Sequence, residues 1–365
     1  IKDFSIDHNL TIMHRFSRDD SFNTLMETVR GENDKLTLRQ YLDLLYEYSS
    51  YFTLKQKKMV MQFLFDLLLA EADDIRRDAS RLIGYLLANY DDDYKKEIPP
   101  SVSYDTLHGT RAYQDLLYTI LFPNVNLLDH KDRLQYNLIM IHKELFRLID
   151  DKTTPYPSLF LEWLDPTYNF TEQTRIILAR TLLYAPLRLF ETDEIEKIED
   201  FLLRLLDASA DETRLVVLDI LHQEHTGLLK RPRIMEKVKE LVATREECGL
   251  MTESYLLYRL AQRYEDDIDL PAALTACFRD VDAGMSSMFL SNLKSDTPWI
   301  VKKINIEILY LAATEHAAKL LHVAIHYCNL LKVSEYDIVR EHAGANLVRL
   351  VTHMKPEEVN DVAVE

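Results

Sequence analysis

Glycine is scarce in this chain, with 7 residues in 365, against an average usage of about 7%. Tight hairpins and phosphate-cradling loops need positive φ, which glycine adopts with least strain, so the shortage argues against both. No GxSxG, Walker A or GxGxxG motif occurs, which removes the nucleophile elbow and the common nucleotide-binding loops. Cysteine is short too. Cys248, Cys277 and Cys328 are odd in number and far apart, so neither a disulfide framework nor a CxxC metal knuckle is present, and a reducing, cytoplasmic compartment is expected. There is no signal peptide and no long uncharged apolar run, so no membrane partner is expected. Basic residues are outnumbered, 43 to 60, for a net charge of -17. A duplex or anionic-membrane binder needs a positive face. The richest local basic set is Lys230, Arg231, Arg233, Lys237 and Lys239, and it reads as a solvated helix start.

What the chain does contain is apolar residues, 47% of the total, beside 28% charged ones, enough for a large core and a solvated surface. The apolar positions recur at three and four, the helical period. Helices are expected over 38–49 with Thr37 as N-cap, over 53–70 and over 73–89, the second almost continuously apolar and therefore buried. Strand-like alternation is absent, and the prolines fall mostly between apolar segments. The expected fold class is all-α.

One helix start recurs. Asp74-Ile75-Arg76-Arg77-Asp78-Ala79 leads into an apolar run, and Asp337-Ile338-Val339-Arg340-Glu341-His342-Ala343 leads into another. Looser copies surround Arg133, Arg175, Arg214 and Lys302. Most of these basic anchors are about 40 residues apart, and a missing one would fall near 256–259. The pattern resembles the second helix of HEAT repeats, which are helix pairs of about 40–47 residues. That resemblance implies an α-solenoid of stacked antiparallel pairs, about seven here, each pair burying its apolar face only against its neighbours. Residues 36–365 are expected to form one elongated array, with an irregular break near 98–112 at Pro99-Pro100. Residues 1–35 read either as a capping helix or as the tail of a preceding domain. The chain opens on Ile1 and stops inside an amphipathic run, as a piece of a larger protein would.

Candidate chemistry is thin. His322 and His326 stand at i and i+4 on one expected helix, as zinc-binding helices require. Val323 stands where an HExxH motif has its glutamate, and Cys328 points away from the pair at about 100° per residue. Histidines on an inner repeat face are the competing reading. His222 and His225 precede Thr226-Gly227, a helix stop, where cationic histidine is favourable. The acidic clusters at 91–93, 191–200 and 265–269 read as solvated surface. Met285, Met288 and Phe289 read as core, and Trp163 and Trp299 as closures of Pro-marked corners. Twenty tyrosines are many. The row Tyr41, Tyr46, Tyr48 and Tyr51 reads either as an exposed contact surface or as half-buried packing.

No catalytic residue, cofactor or metal is therefore expected. The expected function is that of a non-catalytic scaffold or regulatory module whose acidic surface binds a protein or basic peptide, through inter-helix turns and second helices. The front of the chain, Asp7-His8, also suggests a similarity to bacterial proteins in which an HD phosphohydrolase domain precedes helical repeats, although the further ligands of such a site are missing. That resemblance implies a regulatory or substrate-presenting extension of an enzyme whose catalytic domain lies upstream. A HEAT-like DNA glycosylase would need a strongly basic concave face, which the net charge opposes.

Overall fold

The computed structural model describes residues 19–90, 108–150, 154–244, 251–263, 289–294 and 296–365. Asp7-His8, Pro99-Pro100, the acidic runs 91–93 and 265–269, Cys248, Cys277, Met285 and Met288 lie outside them. Among the described residues there are helices, short 3-10 turns and no strand.

The chain divides into two compact units, Ile1–Phe201 and Leu202–Glu365. In the first unit α1 (Asp19–Arg30) is followed by α2 (Lys35–Tyr48), α3 (Leu54–Leu67) and α4 (Asp73–Ala88). Then come α5 (His108–Leu121), α6 (Lys131–Leu148), α7 (Tyr156–Glu162) and α8 (Glu172–Leu182). A further helix, α9 (Thr192–Leu206), contains the division between the units. The starts are set by local chemistry. Thr53 and Gln56 form a reciprocal capping box at α3. At α2 the cap is Asp34, whose Oδ2 accepts from the Thr37 backbone N–H at 2.8 Å. Thr37 was the expected cap. Asp34 has displaced it, because a carboxylate at the positive end of the helix dipole holds the orphan N–H better than a hydroxyl.

Three helices form the stack of this unit: α4 lies on α6 and α6 on α8, with α2 and α3 packed against α4 and α5 against α6. Gly84 is what lets α4 and α6 touch backbone to backbone. A Cβ there would sit 2.5 Å from the Ile141 carbonyl oxygen and 3.0 Å from Glu144 Cβ. The orphan carbonyls at helix C-termini, costly if buried unpaired, are taken up by polar side chains of the stack. Asn137 Nδ2 donates to Leu68 O at 3.0 Å and Gln135 Nε2 to Ile120 O at 3.2 Å. The Tyr156 hydroxyl donates to Leu87 O at 2.8 Å. Of the break expected over 98–112, residues 98–107 are outside the described chain and 108–112 open α5.

The second unit repeats the plan. Its stack runs α10 (Asp211–His222), α12 (Met251–Arg263), α13 (Trp299–Glu315) and α15 (Asp337–Val351), with α11 (Pro232–Ala243) against α12 and α14 (Leu320–Val333) against α15. A last helix, α16 (Pro356–Val364), packs on α14. The stretch 256–259, where the missing anchor was expected, is the buried middle of α12. The turn after α10 needs a left-handed residue, and Gly227 supplies it at φ 67°.

Three of the basic anchors do the same thing. Arg76 donates to the carbonyls of Ala70 at 2.5 Å and Glu71 at 2.8 Å and pairs with Asp73. Arg214 donates to Ala208 O at 2.8 Å and Ser209 O at 3.0 Å and pairs with Asp211. Arg340 donates to Ser334 O and pairs with Asp337. Each guanidinium thus staples the turn before its helix to the first helical turn, and uses the planar fork that lysine lacks. The anchor sequence marks a structural device.

Candidate functional site

A cluster of five rings, two of them exposed, sits on two inter-helix turns of the first unit. Tyr118 on α5 and Phe122, the residue just past its end, are one turn apart and point the same way, since the Phe122 N–H still donates to Tyr118 O at 2.9 Å and i and i+4 share a helix face. Their ring centroids are 5.2 Å apart. Trp163, the C-cap of α7, and Tyr168 and Phe170, in the connection to α8, come up beside them. Phe122 is the centre of the group, 5.7 Å from Trp163, 6.3 Å from Tyr168 and 5.5 Å from Phe170. Trp163 is 5.1 Å from Tyr168, which stacks on Phe170 at 5.5 Å with 14° between planes.

Two of these rings are exposed, and Trp163, Tyr168 and Phe170 are half-buried. Tyr118 is 61% exposed and Phe122 40%, and the same turn also exposes Val125 and Leu128. Large apolar side chains gathered on one surface cost free energy in water and mark contact sites. The two segments that build the patch, 112–129 and 154–174, contain Asp115, Asp129, Glu162, Asp165 and Glu172 but no lysine or arginine.

Of the two readings open for Tyr41, Tyr46, Tyr48 and Tyr51, packing describes all but Tyr51. Tyr48 is buried, Tyr41 and Tyr46 are half-buried and Tyr51 is exposed. Tyr46 packs on Tyr85 at 4.3 Å and its hydroxyl donates to Glu144 at 3.3 Å. The real patch was harder to see because its rings come from turns some 40 residues apart.

The second unit holds a dense polar group. Lys303 Nζ and Asp219 Oδ2 form a buried ion pair at 2.5 Å between α13 and α10. His342 on α15 lies beside it. Burial, then the neighbouring Lys303, lowers its pKa to about 4, and its Nε2 is buried without a hydrogen-bond partner. Asp219 opposes that shift. The ion pair joins α13 to α10 by buried charge.

His322 and His326 sit together on α14 with ring centroids 4.9 Å apart, edge to face. His322 is exposed and His326 half-buried, with its pKa lowered by burial and by His322. Cys328 is buried, which raises its thiol pKa. Among the described residues no group of three or more His, Cys, Asp or Glu is placed to hold a metal ion. The expectation of a cationic His222 at the end of α10 is overturned. Burial holds the His222 pKa below its ordinary value, with Glu307 opposing. The cation at that terminus is Arg263 of α12, which donates to His222 O at 2.7 Å and meets Glu224 at 3.4 Å. In the basic set, Lys237 is held by Asp207 at 2.7 Å and Glu240 at 3.3 Å. Of the two tryptophans, Trp163 lies within the ring patch and Trp299 donates from Nε1 to Glu212 at 3.0 Å. A cavity of about 570 Å³ between α3 and α5 is lined by Lys58, Phe65, Tyr90, Arg111 and Asp115 among others. Among the described residues no helix is long and apolar enough to cross a membrane.

No family model matches the chain, and no curated protein matches it. Among solved structures, it is similar to an engineered protein at 14% identity, covering 90% of this chain and 78% of that one, with a TM-score of 0.29. It is also similar to a designed armadillo repeat protein in complex with the peptide (KR)4, at 13% identity, covering 67% of this chain and 98% of that one, again with a TM-score of 0.29. Neither comparison connects the chain to HD-type phosphohydrolases, and the fold rests on the stacked helix pairs themselves.

Proposed function

We propose that this chain is a non-catalytic recognition module that docks another protein on the aromatic patch of its first unit. The observation that carries this is the exposure of Tyr118 and Phe122 at the heart of a five-ring cluster. Rings of this size dominate interface energetics because they offer large rigid contact area at little entropic cost. Helix pairs stacked into a continuous core supply a rigid base, and inter-helix turns are free to vary above it. The net charge of -17 steers basic partners toward the surface and repels nucleic acid and anionic lipid. A protein or basic peptide is therefore the partner class, in a cytoplasmic setting.

The test is comparative capture. Wild-type chain and a Tyr118→Ser/Phe122→Ser variant are used as bait at low and high salt, and bound proteins are quantified by mass spectrometry. The reading expects at least one protein held by the wild type, weakened by salt and lost from the variant. Equal recovery on both baits overturns it.

A further inference from the structure

We infer that the outer face of α15 is the seat of a second copy of this chain, with α15 lying antiparallel against α15 and Val348 of each copy over Gly344 of the other. This contact is separate from the aromatic patch.

The three stapled helices share a register. On α4, the residues four and eight after the arginine are Ser80, 3.5 Å from Asn137 of α6, and Gly84, against the Ile141 backbone of α6. On α10 they are Leu218, which is buried, and His222, whose carbonyl accepts from Arg263 of α12. In both helices this is where the next helix of the stack lies. On α15 the same positions are Gly344, half-buried, and Val348, 70% exposed. α15 packs on α13 and α14, and α16 packs on α14. Leu331, Val333, Tyr336 and Val364 are exposed as well, so among the described residues every exposed large apolar side chain of the second unit falls within 331–364. A stacked array ends in a polar outer face when water is its neighbour. This face is apolar, and it continues the surface on which α4 and α10 seat a helix.

Gly344 adds an independent sign. It sits inside a helix, where glycine is less stable than alanine. The chain's own packing does not require it, since a Cβ there would meet the flexible end of Leu331 at an ordinary 3.4 Å. Gly84 is the contrasting case, where the missing Cβ admits the backbone of α6. At Gly344 the same allowance opens outward.

A second copy fits this face because the face is complementary to itself. A hole at 344 and a knob at 348, one turn apart, meet each other reciprocally when two such helices run antiparallel, as a twofold interface demands. With 15 residues, α15 is about 22 Å long. One such contact with its Leu331 flank is small beside the roughly 800 Å² per partner of a tight dimer, so the association is expected at micromolar concentration. Both copies carry a net charge of -17, and salt, by screening their repulsion, should tighten it.

The test is sedimentation velocity of the full chain from about 1 to 200 µM, at low and high salt. The wild type is expected to pass from monomer to dimer across this range. Val348→Asp, at an exposed position, should keep its melting temperature and weaken the dimer by about tenfold or more. Gly344→Ala should melt no lower than wild type yet weaken the dimer by about fivefold or more, which a merely structural glycine would not do. Tyr118→Ser/Phe122→Ser should dimerise as the wild type does. A wild type that stays monomeric throughout overturns the inference. So does a dimer unaffected by both α15 substitutions, or one lost with the patch rings instead.

Discussion

The Arg214 guanidinium lies 3.2 Å from the Glu253 carboxylate, 39 residues further along the chain, so one repeat is tied to the next by a charge pair. Glu253 is almost fully buried and Arg214 mostly so. The pair also raises the Arg214 pKa, by its hydrogen bond to Glu253 first. Removing the arginine leaves a buried carboxylate without its cation. Arg214→Ala is expected to cost about 3 kcal/mol, read by urea unfolding. Glu253→Gln, which keeps a hydrogen-bond acceptor and removes the charge, should cost less. An Arg214→Ala loss under about 1 kcal/mol would show that the pair is incidental.

Gly84 tests the contact between α4 and α6. A methyl group there meets the Ile141 carbonyl oxygen at 2.5 Å, a backbone atom that cannot swing aside. Gly84→Ala should destabilise the first unit by about 2 kcal/mol, despite alanine's better helix propensity. Unchanged stability would mean that the two helices part without cost.

His142 gives the fold a pH dependence. Its Nδ1 donates to Leu138 O at 2.7 Å, so Nε2 accepts from the Tyr113 hydroxyl, also at 2.7 Å. Burial lowers its pKa to about 4, below the ordinary 6.5 or so of an unfolded chain. The unfolded state therefore takes up the proton first. This contribution to stability is complete above about pH 6.5 and is lost progressively as the pH falls toward 4, by up to about 3 kcal/mol. His342 acts in the same direction in the second unit, also lowered to about 4. Urea midpoints at pH 7 and pH 4.5 should separate clearly in the wild type and less in His142→Gln. The same pH slope in both proteins would remove His142 from the account.

The patch is expected to be separable from the fold. Tyr118 is 61% exposed, so serine there should change stability by no more than about 0.5 kcal/mol, as surface substitutions do, while Phe122→Ser also gives up its ring contacts and should cost about 1 kcal/mol. A large drop in melting temperature would mean that these rings are structural.

Much of this fold was legible in the sequence. The Asp-x-x-Arg starts at Arg76, Arg214 and Arg340 all prove to be staples, because a short-range ion pair and one or two local carbonyls need only neighbouring residues. Of the looser anchors, Arg133, Arg175 and Lys302 lack the aspartate three residues before, and Arg214 has it in Asp211. Lys302, by contrast, is buried, and Arg133 reaches only to Leu69 O at 3.5 Å. The patch was less legible, since nothing in a linear reading brings Phe122 to Trp163. A signal was present in the two adjoining stretches, rich in rings and acids and empty of lysine and arginine. His222 was misjudged because burial, which a sequence does not display, outweighs the favourable helix end.

The most direct test of protein recognition at the patch is site-specific photocross-linking. A benzophenone amino acid placed at position 118 is irradiated in the cell, with the same group at position 348 as control. The account expects discrete protein adducts from position 118, fewer when Phe122→Ser is added, and none in common with position 348. No adduct at 118, or the same adducts at both positions, would contradict it.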